Sequence, residues 1–173
     1  MSPKMAACYT TLGLQNTSGL SALTFVDFSH ILDLIVRPAL QLTPALLPGM
    51  RNARFGRIVN ASSLVTRRLL FRTSYAAAKS VLESLTRRMA VELARNGITA
   101  NAVAPGPTET ELFRENNPEG SEGEKVYLAK VPMGRFASPI EIAAAIVFLN
   151  GDNAGFVTGQ TLFVDGGSSL GMI

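Results

Sequence analysis

Apolar residues switch between helical and strand-like spacing along the chain, and the switches predict its elements. Over 27–51 they recur at Ile31, Leu34, Ile35, Leu42, Leu46 and Leu47, one face of a helix. Pro38 and Pro44 would bend that helix or break it. "GRIVNAS" (56–62) is short and apolar, as a buried strand is. Residues 74–95 give the clearest helix, with Ala78, Val81, Leu82, Leu85, Met89 and Leu93 on one face and Gly97 just beyond its end. "ITANAVAPG" (98–106) is a strand running into a turn, and "QTLFVDGG" (160–167) is a final strand. "SPIEIAAAIVFL" (138–149) is a helix with Ser138 as N-cap and Pro139 at its first position. Residues 111–130 are polar, with Pro118, Gly120 and Gly123, and predict a mobile loop or lid.

Strands alternating with helices imply an α/β fold, a parallel sheet with helices on both faces. The expected sheet has three strands, 56–61, 98–104 and 161–165, with a fourth from about 9–16. No repeat, linker or low-complexity tract divides the chain, so residues 1–173 read as a single domain.

Composition narrows the chemistry. Cys8 is the only cysteine and His30 the only histidine, so neither a disulfide nor a Cys- or His-based metal site is expected. No signal-peptide core and no apolar run of membrane-spanning length is evident, and a cytoplasmic setting without membrane contact is expected. The net charge is +3, unevenly spread. Between Asp33 and Glu83 there is no acidic residue, yet Arg37, Arg51, Arg54, Arg57, Arg67, Arg68 and Arg72 lie there. A nucleic-acid face is one reading, but no aromatic residues interleave with these arginines, and a solvated basic surface is the preferred one.

"SYAAAK" carries the candidate chemistry. Tyr75 and Lys79 stand four apart, on one face of the 74–95 helix. An ammonium near the phenol favours the phenolate and would lower the tyrosine pKa from its usual ~10 toward neutrality, making a usable general acid or base. The chain has twelve arginines and four lysines, and this helix uses arginine for its other cations. "NASS" closes the 56–62 strand and sets Ser62 at the carboxyl edge of the sheet, where open α/β sheets bind ligands. From there a hydroxyl can hold a substrate carbonyl while Tyr75 protonates it.

With these residues in place the chain resembles the short-chain dehydrogenase/reductase family. Ser62, Tyr75 and Lys79 repeat its Ser…Tyr-x-x-x-Lys signature, with thirteen residues from serine to tyrosine. "NAVAPGPTET" is similar to the family's strand and turn beneath the nicotinamide, and "GRFASPIEIAAAIVFL" and "VTGQTLFVDGG" to its closing segments. The resemblance implies a Rossmann-like, doubly wound sheet and reversible hydride transfer between NAD or NADP and a small carbonyl or alcohol. Tyr75 would move the hydroxyl proton, Lys79 would tune it and hold the nicotinamide ribose, and Ser62 would orient the substrate. Pro105 and Gly106 would line the cofactor, the backbone at Thr108 would meet the carboxamide, and Thr110 the pyrophosphate. The resemblance also implies a homo-oligomer packed through the 27–51 and 74–95 helices.

Two departures modify this picture. No Gly-x-Gly occurs in the chain, so the family's phosphate-binding turn is not represented. "LQNTSG" is similar instead to an altered Asn-Asn-Ala-Gly element, which sets Asn16 against the cofactor and makes the sheet a partial one, N-terminally truncated relative to the family. Ile35 stands where the family has an asparagine that relays protons. Weak or absent cofactor binding is therefore expected. The rival readings are an inactive descendant of the family acting by association and, last, the basic nucleic-acid binder.

Overall fold

The computed structural model describes residues 6–9, 20–67 and 72–170. Four strands, β1 (Ala6–Tyr9), β2 (Gly56–Ala61), β3 (Ile98–Pro105) and β4 (Thr161–Val164), pair in parallel in the order β1-β2-β3-β4. The fourth strand forms at 6–9; residues 10–16, the rest of its expected span, lie outside the described residues. Helices α1 (Phe25–Ala53) and α2 (Thr73–Leu93) cover one face, and α5 (Pro139–Asn150) the other. Two short helices, α3 (Glu111–Asn116) and α4 (Glu122–Leu128), follow β3.

The period of two along β2 decides what meets which helix. Ile58 packs with Met50 of α1 and Ala90 and Leu93 of α2. Its neighbour Val59 packs with Val103 and Leu149 of α5. Asn60 returns to the α2 face, where its amide donates to Thr86 Oγ1 at 2.9 Å. Arg57, on the other face, is buried at the foot of the sheet. It donates to the carbonyls of Gly56 (2.9 Å), Gly151 (3.3 Å) and Gly97 (3.4 Å), and its guanidinium lies 4.2 Å from the Phe55 ring centre. One side chain thus ties β2 to the ends of α2 and α5. Gly97 is required there: its φ is +74°, and a Cβ would stand 2.3 Å from the Arg54 carbonyl oxygen.

Helix α1 runs unbroken through Pro38, Pro44 and Pro48, so none of these prolines breaks it. Ile31, Ile35, Val36 and Ala39 are buried against Ala78 and Leu82 of α2, and this packing offsets the backbone bonds that proline removes. Thr24 caps its start, accepting from Asp27 N at 3.1 Å. The helix is long and apolar enough to cross a bilayer by length and composition, which corrects the expectation that no such segment exists. Its buried stripe nevertheless makes it a core helix of this fold.

The 111–130 stretch, expected as a mobile loop or lid, is not a plain loop but forms α3 and α4, each opened by a hydroxyl cap. Thr110 accepts from Phe113 N at 3.1 Å and Ser121 from Glu124 N at 3.2 Å. Arg114 joins them, donating to Glu109 Oε2 at 2.7 Å and also to Glu124. Phe113 meets Phe136 edge-on at 4.8 Å. Ser138 caps α5 with Pro139 at its first position, as expected, and Glu141 completes a capping box that was not anticipated.

Arg57→Met should destabilise the chain by about 1–3 kcal/mol, because the buried Gly56 carbonyl and two partly buried ones lose this donor. Urea unfolding would measure it; a loss under about 0.5 kcal/mol, the size of an ordinary surface change, would contradict this account.

Candidate active site

The carboxyl ends of the strands bring the candidate chemistry together. Helix α2 starts over the end of β2 because Ala78 and Leu82 pack on Ile35 of α1, which seats its first two turns deep in the core. Tyr75 packs half-buried against the same cluster. Lys79, one turn later, is 1% exposed. Its Nζ donates to the Ala61 carbonyl at 2.7 Å and lies 5.4 Å from the centre of the Tyr75 ring. The spacing of four does place these two side chains side by side.

Their electrostatics differ from the expectation. Burial lowers the Lys79 pKa from 10.5 to about 8, since removal from water disfavours the charged form. Burial also raises that of Tyr75, and this outweighs the opposing pulls of a hydrogen bond with the Ser63 side chain and of the nearby Arg72 charge. The phenol is therefore held neutral at pH 7, as a proton donor, and is not brought toward neutrality by its lysine.

Ser62 is where the structure and the spacing part. Residue 62 shares the parity of Ile58 and Asn60, so it points beneath α2, and its hydroxyl donates to Glu83 Oε1 at 2.7 Å. The serine that hydrogen-bonds Tyr75 is Ser63, one residue on, where the chain leaves the sheet with φ −163° and ψ 152°. The alternation of β2 carried this signal; the count back from the tyrosine did not. Ile35, at the family's asparagine position, is 1% exposed within the α1–α2 core and offers no polar group.

The remaining residues follow β3. Pro105 ends the strand. Gly106 packs so closely on the Asp165 backbone that a Cβ would stand 2.6 Å from Asp165 Cα. The Thr108 hydroxyl donates to the Gly106 carbonyl at 3.0 Å, and Thr108 bridges to Ala137. Thr110 spends its acceptor on the α3 cap but keeps a hydroxyl proton to donate. Asn16 lies outside the described residues. The donor set of Lys79, Tyr75, Thr108 and Thr110 suits the nicotinamide end of a dinucleotide. The described residues hold no glycine-rich turn for its pyrophosphate.

Of the arginines of 37–72, Arg68 lies outside the described residues. Arg37 pairs with Asp33 and Arg57 is buried.

A family model described as Enoyl-(Acyl carrier protein) reductase matches residues 5–169. The chain belongs to the short-chain dehydrogenase/reductase family. It is similar to the 3-oxoacyl-[acyl-carrier-protein] reductase of Vibrio harveyi, 39% identical over 142 residues, which is 82% of this chain and 57% of that protein. Among solved structures it is similar to acetoin dehydrogenase from Enterobacter cloacae, with a TM-score of 0.81 and 30% identity over 95% of this chain and 64% of that one. It is similar also to ElxO with NADP bound, with a TM-score of 0.88 and 27% identity over 96% and 67%. The chain thus spans about three-fifths of the length of the first curated relative. The family's oxidoreductases use NAD or NADP, and relatives bind NADP.

Lys79 is buried against a folding cost. Its folded pKa lies below the unfolded one, so between about pH 8 and 10.5 the unfolded chain binds more protons and stability rises with pH. Below pH 8 the full penalty, about 3 kcal/mol, is present. Lys79→Met should therefore be more stable at pH 7 by about 1–3 kcal/mol. It should also lack the rise between pH 8 and 10. Urea unfolding across that range checks both, and a destabilised variant would contradict the electrostatic reading.

Proposed function

We propose that this chain carries the proton-transfer and nicotinamide side of an NAD(P)-dependent oxidoreductase that interconverts a small carbonyl compound and its alcohol. The observation that carries the reading is the buried Lys79 ammonium beside a neutral Tyr75 that hydrogen-bonds Ser63. A fold does not hold an ammonium at 1% exposure for stability alone.

In the reducing direction, Ser63 and Tyr75 hydrogen-bond the substrate carbonyl oxygen. A reduced nicotinamide, when bound, supplies the hydride for the carbonyl carbon. Tyr75 Oη gives its proton to the oxygen, which leaves an alcohol and a tyrosinate. The Lys79 ammonium, close to the ring, stabilises that tyrosinate until solvent restores the proton. Burial, which holds the resting phenol neutral, favours this direction. Thr108 and Thr110 are the residues that would meet the nicotinamide end.

Without preorganised amides for two phosphates, the 173 residues should bind NADH or NADPH no tighter than about millimolar, roughly −4 kcal/mol. They should show no measurable turnover by themselves. Fusing the unmatched N-terminal part of the Vibrio harveyi reductase ahead of residue 6 should give micromolar NADPH binding and carbonyl reduction. In that fusion, Tyr75→Phe should lower the rate by about 10²–10⁴-fold. A fusion that binds NADPH but reduces nothing, or whose rate survives Tyr75→Phe, would overturn the reading. Micromolar binding by the 173 residues would overturn the expected weak affinity.

Self-association through α1 and α2 belongs to the same reading. Phe25, Val26, Leu40 and Leu42 of α1 and Val91 of α2 are exposed, an apolar surface that an isolated chain leaves in water. Light scattering should give at least a dimer at micromolar concentration. A monomer at every concentration would contradict the proposal.

A further inference from the structure

We propose that Glu83 is the group through which Lys79, and through it Tyr75, exchanges protons with water; this rests on the oxidoreductase reading above. The tyrosinate left by each reduction must be reprotonated, yet Lys79 is buried and presents almost no surface to solvent. Towards α1 the way is closed by hydrocarbon, with Ile31, Ile35, Ala78 and Leu82 packed together. Towards β2 the surroundings of α2 are polar.

Glu83 stands one turn after Lys79 on α2, so the two side chains share a helix face. Consecutive residues at the end of β2 hold them. The Ala61 carbonyl accepts from Lys79 Nζ at 2.7 Å, and the Ser62 hydroxyl donates to Glu83 Oε1 at 2.7 Å. Ammonium and carboxylate are thus fastened to adjoining groups of one strand end. Unlike Lys79, Glu83 is only half-buried, so it meets both the seam and water. The other carboxylate of α2, Glu92, is exposed and pairs with Arg88.

Asn60 adds an independent observation. It is fully buried on the same face of β2, two residues before Ser62, and its amide nitrogen donates to Thr86 Oγ1 at 2.9 Å. Its Oδ1 has no hydrogen-bond partner among the described residues. A buried acceptor of this kind is the ordinary seat of an internal water, and beside Ser62 such a water extends the polar seam. The proton balance closes within this seam. The tyrosinate draws a proton from the Lys79 ammonium and leaves an amine. Glu83 takes a proton from water, passes it to the amine and returns to the carboxylate. One proton moves at each step, and no electrons are transferred. Held by Ser62, the carboxylate is a positioned acid and base rather than a free surface charge.

Proton exchange at the Lys79 ammonium of the 173-residue chain tests this, followed by NMR with ε-nitrogen-labelled lysine and assigned with Lys79→Met. In the unsubstituted chain the rate should not follow hydroxide concentration, as it would if water reached Nζ directly. Glu83→Gln keeps an acceptor for the Ser62 hydroxyl but cannot carry the proton. It should slow exchange about 10²-fold, the low end of what a positioned acid or base contributes. Loosened packing would speed exchange instead, so slowing is not a structural effect. Glu92→Gln should change nothing. A rate proportional to hydroxide in the unsubstituted chain, or an unchanged rate in Glu83→Gln, overturns the proposal. So does equal slowing in Glu92→Gln, which marks a general effect of charge. The fusion with the Vibrio harveyi segment separates this proposal from the reading it rests on. Exchange slowed by Glu83→Gln in a chain whose fusion reduces no carbonyl keeps the proton route and overturns the oxidoreductase reading. A fusion that reduces carbonyls, with exchange indifferent to Glu83→Gln, does the reverse.

Discussion

A buried ammonium organises this molecule. Lys79 lies under α2 against the last carbonyl of β2, and the helix must sit at one depth and one rotation for that contact to form. Two further polar contacts hold it there. Glu83 accepts from Ser62, and Thr86 accepts from Asn60 while donating to its own Leu82 carbonyl. Residues 79, 83 and 86 are spaced as one helix face, so a polar stripe runs between α2 and β2 inside an otherwise apolar contact. The stripe costs desolvation and contributes register. A slip of one helical position would leave three buried groups without partners at once. The apolar clusters on either side, Ile35–Ala78–Leu82 and Met50–Ile58–Ala90, supply the burial that offsets that cost.

The stripe also separates two serines that are adjacent in sequence. Ser62 belongs to the helix–sheet seam and Ser63 to the open edge, because consecutive side chains of an extended chain face opposite ways. The seam residue fixes α2 and the edge residue meets Tyr75. At that edge burial holds the phenol neutral, as a proton donor. A neutral donor suits protonation of an oxygen that is gaining negative charge.

Much of this was legible from spacing alone. The strands at 56–61, 98–105 and 161–164, helices α2 and α5, and the Tyr75–Lys79 pair follow from periodicity, a serine N-cap before proline and a separation of four. What could not be read depended on tertiary contacts. Three prolines argue against a continuous α1, and only its packing on α2 explains one. The Thr110 and Ser121 caps of α3 and α4 were present in the sequence, but glycine and proline nearby outweighed them in a local reading. The sign of the Tyr75 shift was missed because proximity to a cation is visible in a sequence and desolvation is not. Counting thirteen residues back from a tyrosine assumes a fixed connection. The strand's own alternation is the safer guide, and it selects Ser63.

The depth of Lys79 underlies all of this, and its ionisation reports that depth. Titrating the Lys79 side chain by NMR, with ε-carbon-labelled lysine and Lys79→Met to assign the resonance, should give a pKa of about 8, shifted from 10.5 by burial. A value near 10.5 in the folded chain would mean that the ammonium is solvated. The polar seam, the neutral Tyr75 and the chemistry built on them would then fall together.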